Sequence, residues 1–313
     1  MRAILLTRFA APLLFAFSSV AIADATSCPF SDYPKVRESG KISHVLEIDN
    51  DTLLLNRNDG FYTSGMRYAR RHALRDGEIL TVFGWRIGQE LYTASDIKLP
   101  PEEVGAPDHP YAGWLFGGFF KEVHHANGTR KKFGIDIGCI GPCAGGEWTQ
   151  TQFHRIIDQP LPKAWSRQVK NEFGVVLYAE MAPVRWTLGP SVDLTPSFNA
   201  RFGNIYTDAG AGLLLRAGQP NVLPGLRTLH AFLRADARAV GYNATLQGGY
   251  FSNGNPHTVD PKRFVGEGEI GMVWAGETFG TKLSLVRRSN EIRGLPNSEG
   301  AQNYLQLQFS YSP

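Results

Sequence analysis

Beyond its first two dozen residues the chain has no apolar run approaching the roughly 18 to 20 residues that a membrane-spanning helix needs, so a helical membrane protein is excluded. Cysteine is scarce: Cys28, Cys139 and Cys143 are the three in 313 residues. They allow one disulfide and leave one thiol, with Cys139 and Cys143 nearest in sequence, and no following Cys/His pair completes a zinc site. There is no Gly-x-Ser-x-Gly elbow and no His-Glu-x-x-His pair, so nucleophilic serine and zinc hydrolase chemistry lack their usual local signs. A one-sided charge is missing too, since 32 Lys plus Arg against 29 Asp plus Glu leaves +3, and nothing here points to nucleic acid. No linker-like low-complexity stretch divides the chain into domains.

What is present begins with an export signal. Arg2 and Arg8 precede an apolar stretch from Ala10 to Phe17, and Ala21-Ile22-Ala23 forms a small-residue cleavage site. Residues 1–23 are therefore expected to be a signal peptide and 24–313 a single mature domain starting at Asp24. Cleavage removes two Arg and lowers the formal charge to about +1. Ala25-Thr26-Ser27 before Cys28 is a poor lipoprotein signal.

Period-two alternation recurs through the mature chain. Val192, Leu194, Pro196, Phe198 and Ala200 share one strand face, and Asp193, Thr195, Ser197, Asn199 and Arg201 the other. The pattern repeats in Leu229 to Arg238 and in Tyr304 to Tyr311. About twelve strands are expected, near 42–49, 62–72, 79–93, 112–125, 130–141, 171–187, 190–202, 205–217, 227–241, 263–275, 279–291 and 302–311, many of them long enough to cross a bilayer on a tilt. Connections alternate between short turns and long loops; only Gly203-Asn204 is short on the long-loop side. The fold class expected is all-β: a twelve-stranded antiparallel transmembrane β-barrel of a Gram-negative outer membrane, with long extracellular loops and short periplasmic turns. Trp85, Trp114, Trp186, Trp274, Tyr92 and Tyr206, near strand ends, are candidates for its aromatic girdles.

Strand counting brings several polar residues to the long-loop rim. Asn50 and Asp51 end the first strand and Thr63 and Ser64 begin the second, at one height on neighbouring strands. Oxygen donors in that arrangement suit a hard cation such as Ca2+, although Asn and Asp at a loop start are also ordinary turn formers. Asp108-His109-Pro110-Tyr111 lies in the third connection. The fifth holds Gln150 and His154, four residues apart, where His154 is either a general base or a histidine on a short amphipathic helix packed into the barrel mouth. Water activated by His154 beside a cation fits ester hydrolysis. Ser64 keeps a Ser/His esterase or phospholipase open, and a non-enzymatic pore or surface-binding barrel is the third reading.

Asn50-Asp51, Tyr62-Thr63-Ser64-Gly65, Asp108 to Trp114, Ile140-Gly141-Pro142 with Ala144-Gly145-Gly146, and Gln150 to Ile157 continuing to Pro162-Lys163-Ala164-Trp165 together resemble the outer-membrane lipid A 3'-O-deacylases, over essentially the whole mature chain. The resemblance implies a calcium-dependent twelve-stranded barrel that removes the 3'-linked acyloxyacyl chain from lipid A. It places the catalytic histidine on His154, active-site residues on Asn50, Asp51, Thr63 and Gln150, and Ca2+ near Asn50 and Asp51. Lipid A or lipopolysaccharide is the expected substrate, the active site is expected to face the exterior, and the chain is expected to act as a monomer. Arg155, Lys163, Arg167, Lys170, Lys262 and Arg263 are rim cations available to lipid A phosphates, and Ser64 is a further substrate contact.

Overall fold

The computed structural model describes residues 30–51, 60–221 and 223–313. The expected signal peptide and Cys28 lie outside the described residues. A short helix α1 (Tyr33–Ser39) leads into β1 (Lys41–Asn50), β2 (Phe61–Asp76), β3 (Ile79–Thr93), β4 (Ala112–His125) and β5 (Arg130–Ile140). Helix α2 (Gly146–Ile156) follows, then β6 (Glu172–Ala182), β7 (Trp186–Gly189), β8 (Val192–Gly203), β9 (Tyr206–Gln219) and β10 (Thr228–Asn243). After the single turn α3 (Ala244–Gln247) come β11 (Phe264–Ala275), β12 (Phe279–Arg288), α4 (Asn297–Gly300) and β13 (Gln302–Tyr311).

These segments close one antiparallel barrel. Apart from β6 and β7, each strand pairs with its sequence neighbour, and β1 pairs with β13 from His44–Tyr311 to Asn50–Leu305. β6 and β7 both pair with β8, Met181 opposite Phe198 and Trp186 opposite Leu194. They are two pieces of one stave, so the barrel has the expected twelve staves. The break falls at Pro183, which has no N–H to give the ladder. Connections 77–78, 126–129, 190–191, 220–227 and 276–278 gather at one rim. The longer 94–111, 141–171, 244–263 and 289–301 gather at the other, together with the tight turn 204–205.

The structure settles which alternating face is which. Met66, Ile87, Leu115, Phe119, Phe173, Phe198, Phe202, Leu229, Leu233, Ile270 and Leu283 are exposed on the outer wall. The charged set points inward and is paired there. Arg67 meets Glu47, Asp49 and Glu90, Arg86 meets Asp136, Arg185 and Arg216 share Asp193, and Arg288 meets Glu267. Such pairs are reciprocal commitments, since removing one partner strands a buried charge at a cost of about 3–5 kcal/mol. Toward the long-loop rim Tyr62, Tyr92, Trp114, Phe116, Tyr206 and Tyr304 pack together.

This corrects part of the girdle expectation. Trp114, Tyr92 and Tyr206 fall on inward positions and are buried, whereas Trp85, Trp186 and Trp274 are exposed. α1 was not anticipated. It lies on the outer wall at the short-turn rim, with Tyr33 edge-on to Phe83 at 5.3 Å and Lys35 bridged to Asp76 at 2.9 Å.

Candidate active site

Strand parity decides where the candidate residues face. Asp49 points inward, accepting from the Tyr62 hydroxyl (2.7 Å) and the Gln306 amide (2.9 Å). Successive side chains alternate, so Asn50 belongs to the outer face. Asn50 lies opposite Ser64, Ser64 opposite Leu91, and Leu91 opposite Gly113, a transverse row at the top of the outer wall. Between Tyr62 and Ser64 the register slips, which makes Thr63 the extra residue of a β-bulge. A bulge lets consecutive side chains escape strict alternation. Thr63 is buried, with its hydroxyl 2.7 Å from that of Thr93 on the neighbouring strand.

The bulge is held on both sides. Gln302 accepts the Tyr62 backbone N–H at 3.3 Å. Phe61 adopts φ of 64°, a region that non-glycine residues avoid and that surrounding structure must enforce. Its ring meets His109 edge-on at 6.3 Å, and His109 stacks on Tyr92 at 5.4 Å. Burial pushes the His109 imidazole below its ordinary pKa, outweighing the upward pull of Glu291 and Asp108. Across the neck of the first loop, Asp51 Oδ2 accepts the Gly60 N–H at 3.0 Å.

α2 is built against the same wall. A disulfide joins Cys139, near the end of β5, to Cys143, with Cα atoms 6.0 Å apart. Gly145, at φ 68°, turns the chain into the helix. Gln89 donates to the Ala144 carbonyl at 2.7 Å. A Cβ on Gly146 would sit 2.6 Å from the Trp165 ring and 2.9 Å from Leu91, so glycine is what allows the close approach. Gln89, Leu91 and Gly113 all have outward parity, so the helix rests on the outside of the barrel. The helix reading of this segment holds, but a place in the barrel mouth does not.

Gly146, Gln150 and His154 are the buried residues of α2, at intervals of four, and form its inner face. The Trp165 indole N–H donates to Gln150 Oε1 at 2.8 Å, and Trp165 packs edge-on to Tyr111 at 5.2 Å. His154 Nδ1 is 2.6 Å from the Pro160 carbonyl. A carbonyl only accepts, so Nδ1 carries the proton and Nε2 is the basic nitrogen of the neutral ring. His154 lies eight residues past Gly146, about 12 Å along the helix. Leu91 to Asn50 is two strand spacings, about 10 Å. The helix is thus about as long as the row from Leu91 to Asn50.

The other candidates separate by partner. Among the described residues the Ser64 hydroxyl makes no hydrogen bond to a histidine. Arg155 and Lys163 are exposed. Arg167 donates to the Pro256 carbonyl (3.1 Å), Lys170 to that of Asn253 (3.0 Å) and Arg263 to that of Gly241 (2.7 Å), so these three staple loops. No group of three or more His, Cys, Asp or Glu among the described residues could hold a metal. The Asn50 amide and the Asp51 carboxylate are hard oxygen donors suited to Ca2+, though two residues are fewer than the six to eight oxygens it takes. Nothing in the local sequence marks Thr93 or Gln302, and only the family resemblance marks Trp165. Their roles arise from contacts across strands and loops, which no local spacing encodes.

A family model described as outer membrane protein LpxR matches residues 9–312. LpxR from Salmonella typhimurium superposes with a TM-score of 0.71 at 23% identity, over 86% of this chain and 99% of that one. The β-domain of the Bordetella autotransporter BrkA reaches a TM-score of 0.48 at 10% identity, over 87% of this chain and 99% of its own. An outer membrane channel from Pseudomonas putida F1 reaches 0.45 at 11% identity, over 88% and 96%. No curated protein matches the sequence.

Proposed function

The chain belongs to the family of outer membrane protein LpxR, and from that premise we propose that it is a lipid A 3'-O-deacylase whose active site faces the exterior on the outer wall of the barrel. The observation that carries the reading is His154: a buried imidazole, its Nδ1 proton committed to the Pro160 carbonyl, on the face of α2 turned to the lipid-facing wall. A base held there meets a lipid ester without the substrate entering the lumen.

In the proposed reaction His154 Nε2 takes a proton from water as its oxygen attacks the 3' ester carbonyl. The bond between the carbonyl carbon and the 3' oxygen breaks, and the proton passes from the imidazolium to that departing oxygen, which stays on the sugar. Products are the free acyloxyacyl acid and a 3'-hydroxyl. Pro160 fixes the imidazole tautomer, and Trp165 fixes Gln150 beside it. Thr63, oriented by Thr93, and the Asn50 amide supply polar groups for the oxyanion or for the substrate. Asn50 and Asp51 would hold Ca2+, with water and substrate oxygens completing the shell; when bound, the ion supplies electrostatic stabilisation to the oxyanion. Arg155 and Lys163, both exposed, would meet lipid A phosphates.

The test is expression in a host with intact lipid A, followed by lipid A mass spectra for wild type, His154→Ala and Asp51→Ala. Loss of one 3'-acyloxyacyl unit only in wild type is the expected result. Unmodified lipid A in every sample, with the barrel folded in the outer membrane, would refute the proposal.

A further inference from the structure

The inner face of α2 is accounted for by the site, but its outer face is not. Trp148 is 70% exposed and Ile156 80%, on the side of the helix away from Gly146, Gln150 and His154 with half-buried Gln152 between them, while Phe153 (47%), Ile157 and Leu161 are exposed at the flank and past the helix end. The other loop-rim helices differ: α3 is largely buried, and α4 exposes Asn297, Ser298 and Glu299. A helix with its polar, catalytically equipped side turned inward and Trp and Ile outward is inverted for a loop surrounded by water.

Its position explains the inversion. The helix foot sits on Leu91 and beside Gly113, and one outward position lower on the same strands lies the row Met66–Gln89–Leu115–Cys139–Phe173. Met66, Leu115 and Phe173 of that row are exposed apolar groups of the barrel's lipid-facing wall. The step between the two rows is two residues, about 7 Å along a strand. The outer face of α2 thus continues the membrane belt of the wall. Arg155 lies two turns along the helix from Trp148 on the same side, and its long stem lets the charge reach the headgroups; Lys163, Glu147 and Asp158 are exposed as well, so continuity with the belt, not net charge, identifies the occupant.

We propose that α2 is an interfacial helix whose Trp148–Ile156 face is immersed in the acyl region of the leaflet, presenting bilayer-resident lipid to the site beneath it. The inference rests on the reading of His154 as the base of a lipid ester hydrolase. It makes the enzyme selective for how a lipid is presented: substrate in a surrounding bilayer is reached through the immersed face, whereas detergent-dispersed substrate is not.

The test uses the full-length barrel in vesicles of phosphatidylcholine and lipid A, with and without bromine on the phosphatidylcholine acyl chains. The Trp148 signal is taken as the difference between wild type and Trp148→Phe, and turnover is measured for the double variant Trp148→Ser/Ile156→Ser. Bromolipid quenching of Trp148 is expected, with turnover of the double variant falling at least about fivefold in vesicles and staying within about twofold of wild type in detergent. Heat-modifiable mobility on gels confirms that the variants are folded. A Trp148 signal quenched by aqueous acrylamide but not by bromolipid overturns the proposal, as does equal turnover of the variant and wild type in vesicles. Quenching by bromolipid with no wild-type turnover in either medium refutes the hydrolase reading and leaves the immersed helix standing.

Discussion

The barrel lumen and the outer wall under α2 both bury polar side chains, yet they do so by opposite rules. In the lumen carboxylates meet guanidinium groups, as Asp136 meets Arg86 and Asp193 meets both Arg185 and Arg216. Such a network has its charge cancelled within itself. On the outer wall the ties seen among the described residues go to neutral groups: Gln150 to the Trp165 indole, Thr63 to Thr93, and His154 to the Pro160 carbonyl. Each tie orients the side chain without neutralising it. Burial alone therefore does not distinguish the proposed site from the lumen, whereas a neutral partner leaves a buried side chain's own polarity in place.

The largest expected contrast is between His154→Ala and Arg86→Ala. The first should lower deacylation by about 10²–10⁴-fold, because general-base catalysis is lost, at a cost in stability of only about 1–2 kcal/mol for the lost Pro160 bond and packing. The second should lower stability by about 3–5 kcal/mol, because Asp136 is left as an uncompensated buried charge, while turnover per folded molecule holds. Lipid A turnover and denaturant unfolding in detergent, measured on both variants, check the pair. If Arg86→Ala abolished turnover in folded protein, the division between lumen and wall would fail.

A smaller effect sharpens the comparison on the wall itself. Thr93→Val keeps the shape beside Thr63 and removes its hydroxyl partner. About 1 kcal/mol of stability should be lost, as for a single neutral hydrogen bond. A several-fold drop in kcat with KM little changed is expected if that bond aims Thr63, and steady-state kinetics separate the two parameters.

The smallest expected effect is on pH. Burial holds His109 below its ordinary value of 6.5, so the packed loop keeps it neutral while the unfolded loop takes up a proton as pH falls through that value. His257, whose Nε2 lies 2.8 Å from the Asp108 carbonyl, is shifted in the same direction by burial. The unfolded state then binds more protons, and loop stability declines as the pH drops. Amide protection in 94–111, taken relative to the intrinsic exchange rate at each pH, should fall between about pH 7 and about pH 5.5 while the strands stay protected. His109→Asn should flatten that dependence.

The barrel was largely legible because a strand's period of two survives any context. β3 and β4 were read at 79–93 and 112–125, where they lie. Pro183 was visible as a breaker, yet alternation on both sides of it disguised the split of one stave into β6 and β7. α1 was missed because seven residues led by Tyr33-Pro34 carry too little periodicity. The inward turn of Trp114, Tyr92 and Tyr206 depends on parity counted along each strand, not on nearness to a strand end. For the site, the rim and the helical spacing of Gln150 and His154 could be read, but the side of the wall could not. That side is fixed by the Gly146 contact with Leu91 and by the bulge at Thr63, both of which pair residues far apart in the chain.

The most direct test of the outer-wall site is acyl release from purified lipid A by the folded barrel, comparing wild type, Ser64→Ala and His154→Ala in one assay. The account predicts the same 3'-acyloxyacyl acid from wild type and Ser64→Ala, and none from His154→Ala. Release that persists in His154→Ala, or that vanishes in Ser64→Ala, would contradict it.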